Sequence, residues 1–576
     1  MSSILSASLS TSSPTAPDFS IPSQSLLYRE RWAWVAFALI VALGMALRLD
    51  QFIEQVLIED EWHAVHRLLS FSAAETFRTF GHSDHCIPLT LLYDWIAHHG
   101  GGLSETLMRA PMMAAGILLL CLFPWYIARR LGWPTALLFA LFLAISPLLI
   151  SYSRMARPFA LTVFLGWLAH AAFLRFWAAT TARQAVLFGT GYVTSAALAV
   201  WLHLIIAPFV AAPFLWGLWQ LFRSSDKDQR KTWFLRGTAL AASFAAALVA
   251  LIALPLISDL AALSSKSGTD LPNWETLKGA SYFWTGATQT WAVVACVALM
   301  IPGIFSVCRL PIVRTGLLGI ALTLIGILLL RPSWVFVSVT FTRYLLPLLP
   351  LLLLFLAAGC LQIGLLLQKI FPLLRGKEWM VAAIPLTAMV LASPLHQTLR
   401  TPNSNSLDYF HVLDYRPWFL PHQMRDHKMR ASSFWEQRAA LPAASERIAL
   451  APFSFESDKW PATPLEALTK QRIIPAYLNG FCNHDRSGEL LDLNDKRFRF
   501  RNAVFLTDAQ MLRNHRIDWI VWQKTFPDPV WLEVTHGKKV PWESTDLPAC
   551  EAKWRETFGT PDYEDDFLIA YQVKNL

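Results

Sequence analysis

About eleven apolar runs, each near the length of a bilayer-crossing helix, decide what this chain can become. A helix needs about 20 mostly apolar residues to span the hydrocarbon. By that ruler the runs fall at roughly 32–47, 108–128, 134–150, 159–177, 186–202, 204–222, 234–257, 289–308, 315–330, 344–367 and 378–395. The first is short, so its ends extend past its apolar core. The fifth and sixth nearly touch around His203 and form a tight hairpin. Lipid offers no partner to a backbone amide, so such runs must bond within themselves as helices. The expected fold is mainly α: a polytopic transmembrane helical bundle. Only 16% of the 576 residues are charged, against about 25% in soluble domains. The 25 Trp and 37 Phe suit membrane interfaces, where an amphipathic ring meets both solvents.

The placement of charge then orients the runs. Alternate links carry Arg129 and Arg130; Arg175 and Arg183; Arg223, Lys227, Arg230, Lys231 and Arg236; Arg309 and Arg314; Lys369, Arg375 and Lys377. With Arg29 and Arg31 ahead of the first run, these mark one side, cytoplasmic by the positive-inside rule. The net charge of +8 is therefore read as topology-setting. No basic stripe with interleaved aromatics is apparent, which argues against a nucleic-acid partner. Residues 1–25, rich in Ser, Thr and Pro, are expected to be a disordered cytoplasmic N-terminus. Gly44 and Ala46 mimic a signal-peptidase site, but the run is long enough to anchor, so an uncleaved span is preferred. Residues 26–395 form the membrane domain, and an odd number of spans places 396–576 outside. That tail reads as an extracytoplasmic α/β domain, with strand-like RIALAP, RIIPAYL and DDFLIAYQV among helical patterns. There is no CxxC. Cys482 and Cys550 have the compartment for a disulfide, a pairing that sequence leaves open.

The first external loop, 48–107, is acidic. Asp50, Glu54, Glu59, Asp60, Glu61, Glu75, Asp84, Asp94 and Glu105 face only Arg48, Arg67 and Arg78 before Arg109. Three consecutive carboxylates, Glu59-Asp60-Glu61, cannot all ionise comfortably near a low-dielectric boundary unless a cation sits nearby. One with a raised pKa can serve as a general base for an incoming hydroxyl. The ordinary alternative is a helix start, where acids are favoured. His63, His66, Asp84 and His85 offer ligands for Mg²⁺, Mn²⁺ or Zn²⁺, though their spacing fits no metal template. Ordinary interfacial histidines are the alternative there, and His203 at an outer hairpin tip is a further candidate. Arg154 and Arg157 in SYSRMARPFALTVF stand at an outer mouth, against the topology rule, as do Arg343 and Tyr344 in TFTRYLLPLLPLL. Arginine in such a place can grip a phosphate bidentately or snorkel to headgroups. Asp226-Lys227-Asp228 spells DxD but lies in a very basic link, where a solvated loop is expected.

Together these pieces resemble the GT-C superfamily of integral-membrane glycosyltransferases. The nearest likeness is to bacterial protein O-mannosyltransferase-like and aminoarabinose transferase-like members. The matching segments are Asp60-Glu61, HSDHCIPLTLLYDW before the second span, SYSRMARPFALTVF, TRYLLPLLPLLLLFLA and the terminal FGTPDYEDDFLIAYQV. The resemblance implies a polyprenyl-phosphate-linked sugar as donor and an acceptor hydroxyl that attacks the anomeric carbon with inversion. The acceptor would be a glycan, a lipid or a protein of the cell envelope. On that pattern Asp60 is the base with Glu61 beside it. Arg157 and Arg343, with Tyr344 and Arg154, hold the donor phosphate. Asp84, His85, His63 and His203 shape the acceptor side or bind a divalent metal. The implied place is a multi-pass bacterial inner membrane. Two departures stand out: Phe159 where members often have Tyr, and Cys86-Ile87-Pro88 where a proline pair is usual. The competing classes are a transporter or flippase, which should carry polar groups at mid-bilayer and paired broken helices, and a non-catalytic glycan-assembly protein.

Overall fold

The computed structural model describes the chain except residues 1–23, 51, 54, 56, 58, 81–85, 266, 288, 375–377, 392–429, 452–461, 478–495, 502–503, 506–508 and 530–546. The first membrane helix is α1 (Gln24–Leu49). The acidic loop follows as three short helices, α2 (Glu59–Ser70), α3 (Ala73–Arg78) and α4 (Ile87–His99). The bundle continues with α5 (Glu105–Leu131), α6 (Trp133–Ile145), α7 (Pro147–Ser153), α8 (Phe159–Trp177), α9 (Ala182–Leu202), α10 (Ala207–Arg223) and α11 (Lys227–Ser258). After α12 (Leu260–Ser265) and α13 (Trp274–Thr285) come α14 (Thr290–Val307) and α15 (Pro311–Leu330). A short α16 (Ser338–Tyr344), the long α17 (Leu348–Ile370) and α18 (Ala383–Leu391) complete it.

Among the described residues nine helices are long and apolar enough to cross a membrane, and ten if α6 and α7 count as one span bent by 61°. The protein is thus a multi-pass membrane protein. The bend has a local cause. Pro147 forces Ser146 out of the helical region, to ψ 114°, so the chain restarts on a new axis. That new axis delivers 151–159 to the end of the bundle. Elsewhere the packing is close. A Cβ on Gly303 or Gly359 would meet the backbone of the facing helix, so α14 and α17 cross in near backbone contact.

Contacts between loops define two ends. At one end Trp34 packs on Trp133, with ring centroids 4.8 Å apart, and Arg236 Nη1 donates to Ala179 O at 2.8 Å. The links around this end carry Arg129, Arg130, Arg175, Arg183 and Arg223. At the other end Cys86 Sγ donates to Leu202 O at 3.3 Å, Ser258 Oγ to Arg78 O, and Gly268 N to Arg331 O at 2.6 Å. The described residues of the acidic loop belong to this second end.

Ten traverses would leave the chain on the basic side after Ile370. The expected eleventh run is present as a shorter element, a 3₁₀ turn Glu378–Ala382 leading into α18. At about 2.0 and 1.5 Å per residue it rises roughly 24 Å. Its Ala388 packs with Tyr282, Ala287, Ala292 and Val293 beside the start of α14, at the acidic-loop end. The chain therefore climbs back before the tail begins.

The tail is a doubly wound α/β unit, with α19 (Ser433–Ala439), β1 (Arg447–Ala451), α20 (Ala462–Thr469) and β2 (Arg472–Tyr477). It continues through β3 (Val504–Phe505), α21 (Ala509–Asn514), β4 (Trp519–Gln523), α22 (Leu547–Phe558), β5 (Tyr563–Glu564) and β6 (Leu568–Gln572). The sheet order is β3-β2-β1-β4-β6-β5, parallel from β3 to β4 and antiparallel thereafter. The strands are apolar on both faces, as a covered parallel sheet requires. Ile448, Leu450, Ile473 and Val521 pack with Phe434, Trp435 and Leu465 of α19 and α20. Ala449, Ile474, Ile520 and Trp522 pack with Leu512 and Trp554 of α21 and α22.

The tail joins the bundle at the acidic-loop end. Leu103 N donates to Arg497 O at 2.6 Å, Arg499 N to Leu103 O at 2.7 Å, and Arg501 N to Glu105 Oε1 at 2.7 Å. Gly102, at φ +108°, lies under this strap, where a Cβ would meet Lys496 O at 2.9 Å. A left-handed residue in so close an approach has to be glycine.

Candidate functional site

The site is built where α2 meets the starts of α5 and α8. In α2 the residues 61, 64, 65 and 68 share one helical face, and Glu61, Ala64, Val65 and Leu68 are all buried. The amphipathic pattern thus drives a carboxylate into the core. It is met there by Arg109, in the second turn of α5. Arg109 Nε donates to Glu61 Oε1 at 2.8 Å and Nη2 to Oε2 at 2.6 Å. Both side chains are 0% exposed. The remaining Arg109 donor, Nη1, reaches Gln55 O at 2.8 Å. Ala156 N also donates to Glu61 Oε1, at 2.6 Å. A bidentate pair of this kind is stronger and more directional than a point contact. It ties the acidic loop, the second membrane helix and the turn before α8 into one unit. Asp60 occupies the same first turn of α2 as Glu61.

Arg154 is fully buried; its Nε and Nη1 serve the loop, and its Nη2 meets no partner among the described residues. Its Nε donates to Gln55 Oε1 at 3.1 Å, and its Nη1 to Asp50 O at 2.6 Å and Leu47 O at 3.4 Å. Gln55 Nε2 returns a bond to Arg154 O at 3.4 Å. Arg48 repeats the pattern, donating to Ser153 Oγ and to the carbonyls of Gly44, Ala144 and Leu143. These two arginines are bound chiefly by carbonyl dipoles and hold the bend and the loop together.

Arg157, Arg343, Tyr344 and His203 form the second part, and each is half-buried. Phe159 is their hub. Its ring lies 5.5 Å from that of His203 and 5.1 Å from that of Tyr152, and the Arg343 guanidinium stands 5.6 Å over it. His203 in turn packs at 5.7 Å against Tyr344. Phenylalanine at 159 is thus a buried packing residue that a cation covers, a contact an aromatic face favours. Arg343 Nη2 also reaches Thr340 Oγ1 at 3.4 Å. The Arg157 charge acts on Cys86 and Tyr93, across α4. Burial nevertheless pushes the Cys86 thiol up to about 12.

The structure therefore gathers Asp60-Glu61, Arg154, Arg157, His203, Arg343 and Tyr344 at one end of the bundle. His63 sits half-buried on α2, two residues beyond Glu61. Asp84 and His85 lie outside the described residues. Among the described residues no three His, Cys, Asp or Glu side chains converge as a metal site. Arg331 stays at the C-cap of α15 in a left-handed conformation, φ 46°. Asp226 caps α11, accepting from Asp228 N and Gln229 N, so the DxD is a helix start. Sequence reading passed over Arg109 and Gln55. For Arg109 the signal was present: like Arg154 and Arg157, it is a basic residue at the acidic-loop end of a span.

No protein-family model matches the chain, and no curated protein matches it by sequence. Among solved structures the chain is similar to ArnT from Cupriavidus metallidurans in the apo state. The identity is 11% and the TM-score 0.42, over 95% of this chain and 99% of that one. ArnT from Cupriavidus metallidurans bound to undecaprenyl phosphate is similar at 11% identity and a TM-score of 0.40, over 94% of this chain and 98% of that one.

Proposed function

We propose that this protein is a membrane glycosyltransferase that moves a sugar from a polyprenyl-phosphate-linked donor to an acceptor hydroxyl on the extracytoplasmic face. One observation carries the reading. Segments far apart in sequence, each resembling a glycosyltransferase motif, meet at the end of the bundle opposite the basic links. In the reaction the acceptor oxygen attacks the anomeric carbon, and the bond from that carbon to the phosphate oxygen breaks with inversion. The acceptor proton passes to Asp60. Polyprenyl phosphate leaves with the bonding electrons, its charge held by Arg157 and Arg343 with Tyr344. A phosphate is already a good leaving group, so a fixed cationic clamp can take the place of a general acid. The oxygens of Glu61 are engaged by Arg109 and the Ala156 amide, which supports Asp60 as the base and Glu61 as its anchor. Asp84, His85, His63 and His203 are assigned to the acceptor side or to a divalent ion.

The positive-inside rule sets the N-terminus and basic links in the cytoplasm and the tail outside. Two measurements test the reading. Lipid extracts of a deletion strain should accumulate one polyprenyl-phosphate sugar, while one envelope glycan loses the same residue. Asp60→Asn should keep expression and lower turnover by about 10²- to 10⁴-fold, the usual worth of a positioned base. Unchanged turnover in that variant would remove Asp60 from the mechanism, and an unchanged lipid profile would remove the enzyme class.

A further inference from the structure

The strand-start edge of the tail sheet gathers arginine. β1 opens on Arg447 and β2 on Arg472, which are register partners. Ile448 and Ile473 point into the α19–α20 side, so both arginines stand together on the α21 side. Arg501 comes just before β3, Arg513 lies in the last turn of α21, and Arg516 comes just before β4. They are physically joined: Arg447 Nη2 donates to Arg501 O at 3.3 Å, and His515 Nδ1 to the same carbonyl at 3.0 Å. Arg499, Arg501, Arg513 and Arg516 are exposed, and no ion pair joins any of them to a described carboxylate. Burial first, and after it the charges of Arg447 and Arg501, hold the His515 imidazole below the usual histidine range.

This edge lies beside the start of a membrane-spanning helix. The segment 496–501 reads KRFRFR, a short basic–aromatic alternation that reading charge link by link passes over. Phe498 and Phe500 pack into the bundle core. Arg501 N bonds Glu105, the first residue of a membrane-spanning helix.

We propose that the strand-start edge of the tail is a binding surface for net-negative lipid phosphate, seated at headgroup depth beside the first loop. The inference does not depend on the transfer chemistry above. Arginine's planar fork suits phosphate oxygens, and it stays charged at any working pH. Each Lys or Arg near an anionic surface strengthens attraction by about fivefold, within a Debye length. The phosphate has two possible sources, bulk anionic phospholipid and a phosphorylated lipid substrate, and the chemistry is the same.

The test uses the full chain in nanodiscs of three compositions: phosphatidylcholine alone, with added phosphatidylglycerol, and with added polyprenyl phosphate. The readout is amide hydrogen exchange at 497–501 and 512–517. Either added lipid should slow exchange there by at least about tenfold, less so in high salt. Slowing by phosphatidylglycerol makes bulk headgroups the ligand, and slowing by polyprenyl phosphate alone makes it the substrate's phosphate. Arg513→Gln with Arg516→Gln, which leaves the docking strap intact, should lose most of the effect, and adding Arg499→Gln and Arg501→Gln the rest. Equal exchange in all three discs, or full slowing in the variants, overturns the proposal.

Discussion

The Glu61–Arg109 pair makes the sharpest test of how the acidic loop is held. Arg109→Met keeps the volume of the side chain and deletes three donors at once, those to Glu61 Oε1, Glu61 Oε2 and Gln55 O. Glu61 would then remain fully buried, with the Ala156 amide still donating to it but without the Arg109 cation opposite. Breaking a buried pair by removing one member costs about 3–5 kcal/mol, because the other charge is left behind. Opening of α2 should then rise by roughly 10²- to 10⁴-fold, read as amide exchange across Ala64–Leu68. Glu61→Leu should act similarly, through the stranded guanidinium. The double variant should be far better than the sum of the two, since removing both charges restores an apolar contact. Turnover should follow the same order, with kcat falling more than KM rises, because the pair positions the loop rather than touching the donor. Additive effects in the double variant, or exchange in Arg109→Met within about threefold of the parent, would refute the anchoring role.

Other outcomes follow from the same geometry. Arg157→Lys and Arg343→Lys should lower kcat/KM for the donor by about 10- to 100-fold, the worth of a charged hydrogen bond, with little change in thermal stability. Arg154→Lys should do the reverse, lowering the unfolding temperature in detergent, because its donors serve Gln55, Asp50 and Leu47. Gly359→Val should abolish folded expression, since the new atoms would collide with the Leu299 carbonyl on α14. His515 gives a pH signature. Its folded pKa is depressed, so the unfolded chain binds the proton more readily. Stability of the strand-start edge should be full above about pH 6.5 and decline as pH falls towards the folded value. Exchange at 515–517 across that range reads this, and His515→Asn should flatten it.

The membrane bundle was legible because its signal is long and one-dimensional. A run of about 20 apolar residues survives any tertiary context, and ten of the expected runs appear as full helices or as the bent pair. The eleventh, 378–395, was expected at full length, yet its described helical part ends at Leu391. Hydropathy saw the apolar stretch, and the packing of Ala388 beside α14 supplied what the length alone could not. In the tail the strands were visible as short apolar runs. Their order was not, because β1 lies between β2 and β4, a pairing that depends on contacts about 25 and 70 residues apart.

The site divides by the same logic. What sequence could report was residue type at a membrane boundary, and on that ground Arg154, Arg157 and Arg343 looked alike. The structure separates them by what their donors meet. Arg154 Nε and Nη1 are bound to backbone and amide oxygens inside the protein, while its buried Nη2 meets no partner among the described residues. Arg109, never singled out, neutralises Glu61, a carboxylate that the helical period of α2 turns inward. Arg157 and Arg343 are half-buried, and Arg343 stands over the ring of Phe159. A buried ion pair holds the loop, and carbonyl-bound arginines hold the bend.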